Sequence, residues 1–543
     1  MVKKRRFTKC SSIAKTMFGG LIFGSVFFSS PSLAAPKTLV YCSESGPENF
    51  TPALSEASFS FDAQRPVFNQ LLSFKPGSFD LAPSLAETWS LSEDGTVLTF
   101  KLRRDVKFHS GVNGFVPSRP FTADDVLFSF NRQRQSDHPY HKVAHGSYLY
   151  FSHIGFKDIL KSIEKEDDYT VRFILTAPNV SVLSNFAMDF STIHSAEYAD
   201  YLLKEKKAED FDAIPVGTGP FQFVSYKSDE RIEFKAFDAH WAGRPHLDKL
   251  IFAIVPNATE RAKKLQSNEC QVMAMPHPDD MPILVQDPSL IVLSTSAPNI
   301  GYLAYNVTKK PFDDVRVRQA VALAMDKKVM VQEAYGSFGT PARGPLPPGM
   351  LGYNSDLKEV AFDVARAKSL LEEAGVTLPL KVNLFYIPIV RDYNPDPKRV
   401  AEIMKSNLEA IGIQANLRTH DWEEYRRNLQ KGDFELAQFG WITDNGDPDN
   451  FFAQLSCEGA QGGQNISRWC NKEFEELLSQ GRTHKERHVR ERIYKNMGDI
   501  FARELPWYGI AHSTLNVPIR KTVVGYTISP LGRHDFHLVD LKN

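Results

Sequence analysis

The sequence predicts an α/β fold in which the second half of the chain forms a lobe built on a parallel sheet. Two observations favour this fold: helical stripes of apolar residues alternate with short apolar runs, and Gly375 and Gly412 end two of the helices. The predicted helices are Val364–Ala374, 400–411 and Trp422–Gln430, and the predicted strands are Lys381–Tyr386, Ile413–Arg418 and Phe434–Phe439. This alternation is typical of a parallel sheet and extends over roughly residues 300–510.

The first half of the chain has a different pattern. A tight turn at Ser92–Gly95 precedes the alternating run Val97–Arg103, which predicts a strand of a hairpin. Thr122 predicts the N-cap of a helix over Asp124–Arg132, because an acidic residue follows it three positions later. Further strands are predicted at Thr38–Tyr41, Tyr169–Leu175, Phe221–Tyr226 and Gly301–Asn306, and further helices at Asn257–Asn268 and Val315–Met325.

Two loops follow strands of the predicted parallel lobe, at Ile387–Pro397 and Trp441–Asn450. Ligands of such sheets bind beyond the carboxyl ends of the strands. In the first loop Arg391 could clamp a carboxylate through two hydrogen bonds. In the second loop Asp444, close to Trp441, could accept hydrogen bonds from an ammonium group. Held about 6–8 Å apart, the length of roughly two extended residues, the two charges would bind the two ends of a zwitterion.

Each loop also has a structural interpretation. The acidic turn of Gln438–Phe452 could simply start a helix, with Asp447 or Asp449 as its cap. Arg391 could be a solvated loop residue, or it could pair with Asp392. The residues by themselves leave these alternatives open.

The first 34 residues predict a cleaved secretory signal. They carry six basic and no acidic residues, followed by a short apolar run at Met17–Phe28 and a small-residue cleavage pattern ending at Ala34. Removal of this segment would change the net charge from −1 to −7. A mildly acidic protein is a poor candidate for binding nucleic acid, so no nucleic-acid partner is expected.

Four cysteines follow this segment: Cys42, Cys270, Cys457 and Cys470. An even number in an exported chain predicts two disulfide bonds, for which three pairings exist. Cys457 and Cys470 are close in sequence and form the natural local pair, which would leave Cys42 for Cys270. A zinc site is the alternative, but no CxxC or paired-histidine spacing supports it.

Motifs for other chemistry are missing from the sequence. Gly217-Thr-Gly219 lacks the further residues of a nucleotide-phosphate loop, and Gly446 and Leu455 stand where an EF-hand would need ligands. There is no G-x-S-x-G and no H-E-x-x-H pattern. No catalytic residue, metal or cofactor is therefore expected, and a secreted peptide hydrolase is disfavoured.

Several blocks of the sequence carry a resemblance to a known family. The blocks are Pro83–Trp89, Leu91–Gly95, Phe100–His109, Thr122–Val126, Val216–Phe221 and Val315–Ala320. They resemble the peptide-binding family of bacterial extracellular solute-binding proteins, family 5, which serves peptide and nickel ABC importers. Five further blocks resemble the dipeptide-binding members of that family: Tyr140–Val143, Ala187–Phe190, Asn268–Met273, Thr443–Phe452 and Ala511–Thr514. The resemblance extends over about residues 37–540.

The resemblance implies a two-lobed periplasmic binding protein clamshell of class II, cluster C type, with an additional subdomain. Lobe I would be discontinuous, the subdomain would follow its first segment, and lobe II would be continuous. The implied boundaries are 35–68 with 219–294 and 514–543 for lobe I, 69–218 for the subdomain and 295–513 for lobe II. A Cys42–Cys270 bridge agrees with this arrangement of lobe I.

The resemblance also implies roles for six residues in and next to the two loops. Asp444 would bind the ammonium group of a short peptide, and Arg391 would bind its carboxylate. Four neighbours would supply wall or backbone contacts: Tyr393, Trp441, Gly440 and Phe439. The implied protein is a periplasmic monomer that delivers its peptide to an inner-membrane ABC permease.

The sequence departs from the dipeptide-binding pattern in two places. Glu56 and Phe59 stand where small polar residues lie near the pocket, and Ile442-Thr443 replaces a smaller pair before Asp444. Members of the same family also bind haem, glutathione or antimicrobial peptides, and these ligands are the alternatives to a dipeptide.

Overall fold

The structure is a computed structural model that describes residues 36–55, 57–143, 148–443 and 445–542. The predicted secretory signal and its cleavage site near Ala34 lie outside the described residues, as do Glu56 and Asp444. Among the described helices, none is both long enough and apolar enough to cross a membrane.

The elements of the described residues are numbered in chain order. The strands are β1 Thr38–Ser43, β2 Leu72–Phe74, β3 Leu81–Pro83, β4 Ala86–Leu91, β5 Val97–Leu102, β6 Leu160–Asp167, β7 Thr170–Leu175, β8 Phe221–Lys227, β9 Arg231–Ala236, β10 Lys249–Ile254, β11 Val272–Met273, β12 Leu290–Ser296, β13 Asn299–Tyr305, β14 Gly339–Pro341, β15 Leu380–Phe385, β16 Ile413–Arg418, β17 Leu436–Ile442, β18 Trp507–Arg520, β19 Val523–Val524 and β20 Asp540–Leu541.

The α-helices are α1 Ser58–Gln64, α2 Ala123–Arg134, α3 Leu149–His153, α4 Phe156–Ile159, α5 Ala196–Glu205, α6 Ala258–Gln266, α7 Met281–Gln286, α8 Val315–Ala324, α9 Lys327–Met330, α10 Val364–Glu373, α11 Pro397–Ala410, α12 Trp422–Lys431, α13 Asp449–Phe452, α14 Cys457–Gly462, α15 Lys472–Thr483 and α16 Arg487–Glu504. Short 3₁₀ turns lie at Pro52–Leu54, Val180–Ala187, Asp189–Ser191, Ala208–Asp212, Pro278–Asp280, Gly336–Phe338 and Ala453–Leu455, and a π turn lies at Val331–Tyr335.

A sheet of twelve strands extends through both halves of the molecule, in the order β16-β15-β17-β13-β18-β11-β1-β10-β9-β8, with β12 and β14 also paired to β18. The long strand β18 connects the halves. Its first residues pair with β13, and its residues from Thr514 to Arg520 pair with β12. Only Ala297 and Pro298 separate β12 from β13. The chain therefore folds into two lobes that share one crossing strand.

The sheet of the second lobe is mixed, which corrects the expectation of a parallel sheet. Strand β15 is parallel to both β16 and β17, as the alternation predicted. Strand β17, however, is antiparallel to β13, and β13 is antiparallel to β18. The reason is that β13 directly follows the crossing at Ala297–Pro298 and β18 is the crossing strand, so neither belongs to a strand–helix–strand unit. Periodicity within a segment does not report such crossings.

A separate antiparallel sheet, β4-β5-β7-β6, forms the centre of the region between β1 and β8. Phe100, Phe130, Phe173 and Phe186 are fully buried on it, with ring centroids 4.7 to 5.7 Å apart. Helix α2 packs on this core and begins as predicted, because the Thr122 N–H donates to the Asp125 carboxylate at 2.9 Å.

The described residues contain two disulfide bonds, one in each lobe. Cys42 of β1 is bonded to Cys270, and Cys457 is bonded to Cys470. The first bond closes a loop of 228 residues and the second a loop of 13 residues. Because the four cysteines are used in this way, the zinc alternative has no ligands, and no cluster of three metal-binding side chains exists among the described residues.

Removing the first disulfide should destabilise the protein more than removing the second. A crosslink restricts the unfolded chain more strongly when its loop is longer, with expected contributions of about 5 kcal/mol for Cys42–Cys270 and about 3 kcal/mol for Cys457–Cys470. Urea unfolding of the two double alanine variants would measure the difference. Equal losses of stability would contradict the expectation.

Candidate functional site

The loop after β15 forms a tight turn that presents Arg391. Arg391 and Asn394 exchange two backbone hydrogen bonds, at 3.1 and 2.8 Å. Tyr393 inside the turn is buried, and its carbonyl oxygen accepts a hydrogen bond from the Tyr335 hydroxyl at 2.7 Å. The Ser513 hydroxyl of β18 donates to the carbonyl oxygen of the residue before Tyr393. The turn is thus held from both sides by groups of the second lobe.

Two glycines allow this turn to lie directly on the sheet. Gly301 of β13 and Gly440 of β17 face each other as partners in the ladder. A β-carbon on Gly301 would lie 2.2 Å from the Tyr393 carbonyl oxygen, and one on Gly440 would lie 2.2 Å from a ring carbon of Tyr393. Both distances are shorter than any real contact, so Gly440 acts here as the platform under Tyr393.

The Arg391 side chain lies on an aromatic surface. Its guanidinium carbon is 4.4 Å from the centroid of the Trp422 ring, and the Trp422 ring is nearly parallel to that of Phe439, with centroids 6.3 Å apart. The Arg391 Nε is buried without a hydrogen-bond partner. Within the described residues no ion pair joins Arg391 to Asp392 or to another carboxylate. The arrangement leaves a cation on an aromatic wall, available to an anion.

Trp441 lies at the end of β17, in the second loop. Its indole N–H donates to the Asn450 side-chain oxygen at 2.6 Å, so its polar edge is bound within the loop. Asp444, the other charged residue expected in the site, lies outside the described residues. Next to it, the Asn445 side chain donates to the Asn185 side-chain oxygen at 3.1 Å, which brings this loop against the region between β1 and β8.

The other two carboxylates of the acidic turn are structural. Asp447 pairs with Arg490 at 2.8 Å and accepts from the Asp449 N–H at 3.0 Å, where helix α13 begins. Asp449 pairs with Arg482 at 2.7 Å, and burial raises the pKa of its carboxyl although Arg482 opposes the rise. The turn does start a helix, as expected, but the residue at the N-cap position is Pro448 and not Asp447 or Asp449.

Further contacts close the space beside this loop. Phe79 is buried in the core of the second lobe, where a β-carbon on Gly446 would lie 3.0 Å from its ring. Arg487 pairs with Asp80 at 2.7 Å. A cleft of about 270 Å³ remains between these residues and Leu183. Residues distant in sequence thus form one wall beside the acidic turn.

Sequence reasoning did not identify three residues that build the site: Trp422, Tyr335 and Gly301. Trp422 was predicted only as the first residue of a helix. Gly301 carried a usable signal, because a glycine inside a predicted strand often marks a close approach by another part of the backbone. Tyr335 carried no such signal, since its hydrogen bond joins residues 58 positions apart.

Comparison with known protein families gives a match over residues 80–463 to the model described as bacterial extracellular solute-binding proteins, family 5 Middle. The chain is 44% identical over 508 residues to the dipeptide-binding protein of Escherichia coli K12, covering 93% of this chain and 95% of the relative. It is 42% identical over 507 residues to heme-binding protein A of Haemophilus influenzae, covering 93% and 92%.

Among solved structures, the fold is similar to a dipeptide-binding protein from Pseudoalteromonas sp. SM9913 in complex with Met-Leu. The two chains are 34% identical, with a TM-score of 0.71, and the match covers 93% of this chain and 100% of the other. Identity at this level over nearly the whole chain confirms the expected two-lobed α/β fold.

Gly440→Ala should destabilise the protein by about 1–3 kcal/mol, because the added methyl group must displace the Tyr393 ring from a packed position. Thermal unfolding would measure the loss. Gly498→Ala in helix α16 is the matched control. A β-carbon on Gly498 would meet other atoms only at ordinary contact distances of 3.6 Å or more. An unchanged stability of Gly440→Ala would show that Tyr393 does not need this platform.

Proposed function

The chain belongs to family 5 of the bacterial extracellular solute-binding proteins, and on that premise we propose that it captures short peptides, above all dipeptides. The family consists of solute-binding transport proteins and not of enzymes. The proposed protein is the periplasmic component of an ABC importer and delivers its peptide to the inner-membrane permease. Relatives named for dipeptide binding and a neighbour solved with Met-Leu support the choice of ligand.

The observation that carries this proposal is the position of the Arg391 guanidinium and its lack of a described ion-pair partner. Its guanidinium lies on Trp422 with a buried Nε that has no partner. A buried polar group without a hydrogen bond costs free energy, so this group favours an arriving acceptor. A peptide carboxylate offers two acceptor oxygens that fit the geometry of a guanidinium.

Asp444 is proposed to bind the peptide ammonium group. The distance between Asp444 and Arg391 would then select the length of the ligand, because both charges must be satisfied by one molecule. Tyr393, Trp441, Gly440 and Phe439 are proposed as wall or backbone contacts. Since the Trp441 N–H is bound to Asn450, Trp441 would offer its ring face.

Capture requires that the ligand contacts both lobes at once and so favours the closed arrangement. The proposed boundaries are 35–68, 219–294 and 514–543 for lobe I, 69–218 for the subdomain and 295–513 for lobe II. The crossing segments at Ala297–Pro298 and in β18 are the proposed hinge. The protein is proposed to act as a monomer after cleavage near Ala34, without a nucleic-acid partner.

Haem is the second candidate ligand, because a relative of 42% identity is named a heme-binding protein. A haem-binding site would place Arg391 near a propionate rather than near the end of a peptide. Glutathione and antimicrobial peptides are the other ligands that the resemblance implies.

Alanyl-alanine should stabilise the ligand-free protein by roughly 2.7 kcal/mol when present at about 100 times its dissociation constant. The shift should disappear in Arg391→Ala and in Asp444→Ala, since each variant loses one end of the ligand. Thermal unfolding of wild type and both variants, with and without the dipeptide, measures this stabilisation. Arg427→Ala, which removes an exposed arginine from the same lobe, serves as the control and should retain the shift.

Two results would contradict the proposal. A shift with haemin but with no dipeptide would keep the family and overturn the ligand. A dipeptide shift that survives in both Arg391→Ala and Asp444→Ala would keep the ligand and overturn the assignment of its two ends.

A further inference from the structure

We propose that Arg426 and Arg391 form a double-arginine clamp on Trp422 that selects peptides ending in an acidic residue. This inference rests on the proposed function, and it concerns the side chain beside the peptide carboxylate. It predicts that the preferred ligands carry two carboxylates at the end bound by Arg391: the terminal one and that of a C-terminal glutamate or aspartate.

The clamp follows from the geometry of helix α12. Trp422 and Arg426 are one helical turn apart, so their side chains share a face of the helix. The Arg426 guanidinium carbon lies 6.0 Å from the Trp422 ring centroid, where Arg391 lies at 4.4 Å. Two cations that come from different elements thus meet at the same indole ring.

Neither arginine of this clamp forms an ion pair with a described carboxylate. The Asp392 carboxylate lies near enough for the Arg391 charge to oppose the rise of its pKa on burial, but it does not pair with the guanidinium. Two acidic residues at the start of the helix have other contacts: the cap Asp421 accepts from the Glu424 N–H at 3.0 Å, and the Glu424 carboxylate lies 3.5 Å from His420. Two like charges at one ring repel each other, so the arrangement favours a ligand with more than one negative charge.

The surroundings of Tyr393 agree with this view. Burial raises the pKa of the Tyr393 hydroxyl to about 12, and the charges of Arg391 and Arg426 both oppose the rise. Arg426 therefore acts on the same surface as the turn that presents Arg391, although its side chain is exposed.

A C-terminal glutamate carries two carboxylates on one residue, one for each arginine that borders the Trp422 ring. Four carbon–carbon bonds separate its two carboxyl carbons, a span of about 5 Å. With one carboxylate on Arg391, the other can approach a guanidinium that borders the same ring. An uncharged glutamine side chain has the same shape but lacks the second negative charge, which makes it the matched comparison.

Isothermal titration calorimetry with Ala-Glu, Ala-Gln and Glu-Ala tests the clamp. Wild-type protein should bind Ala-Glu about tenfold more tightly than Ala-Gln, because the extra contact is a charge-assisted hydrogen bond. The ratio should fall to about one in Arg426→Gln, and it should stay near ten in Arg427→Gln, which removes an equal charge one residue further on. It should also decrease at high salt. Glu-Ala, with its acid at the other end, should show no gain.

The outcomes separate this inference from the proposed function. If Ala-Gln binds and Ala-Glu binds no more tightly, the clamp is wrong and the dipeptide function stands. If Arg427→Gln reduces the ratio as much as Arg426→Gln, the effect is one of general charge and the clamp is again wrong. If neither dipeptide binds, the proposed function fails and the clamp fails with it.

Discussion

The position of the Arg391 guanidinium depends on one steric constraint, the contact of Tyr393 with two glycines of the sheet. Neighbouring strands lie about 4.8 Å apart, so Gly301 and Gly440 together leave a flat area just wide enough for a turn to rest on the backbone. A side chain at either position would overlap Tyr393. Since the turn is closed by two backbone hydrogen bonds and carries Arg391 at its start, this contact determines where the cation lies relative to Trp422.

The same turn is bound to the strand that connects the lobes. The Ser513 hydroxyl donates to the Asp392 carbonyl oxygen, and the Ser513 N–H donates to the Asn299 side chain at 2.9 Å. His512 is fully buried beside them and contacts the Asn299 carbonyl oxygen at 2.7 Å. Burial lowers the pKa of its ring to about 4, so the crossing segment contains a neutral histidine at physiological pH. The arginine turn and the crossing strand therefore form one hydrogen-bonded unit.

Two sets of charged residues in the second lobe differ in whether they form an ion pair. Asp447 and Arg490 are both buried and satisfy each other, as a pair must when its charges are removed from water. Arg391 and Arg426 border one aromatic ring instead, and neither forms an ion pair with a described carboxylate. Charges of the first set hold the start of helix α13 in place, and charges of the second set are the ones proposed to meet a ligand. The sequence alone does not show which of these charged residues are paired.

The sequence by itself determined the α/β character of the second lobe, the helices after Asp363 and Asp421, and the two loops that hold the candidate residues, because periodicity, caps and turns are local properties of the chain. It also predicted Arg391 as a candidate binding residue and, through the resemblance, identified the family. Only the tertiary structure decided that β13 and β18 make the sheet mixed, that Asp447 is paired with Arg490, and that Trp422 and Gly440 position the cation. Each of these contacts joins residues whose distance in sequence carries no periodic signal, so it becomes visible only when the segments are packed together.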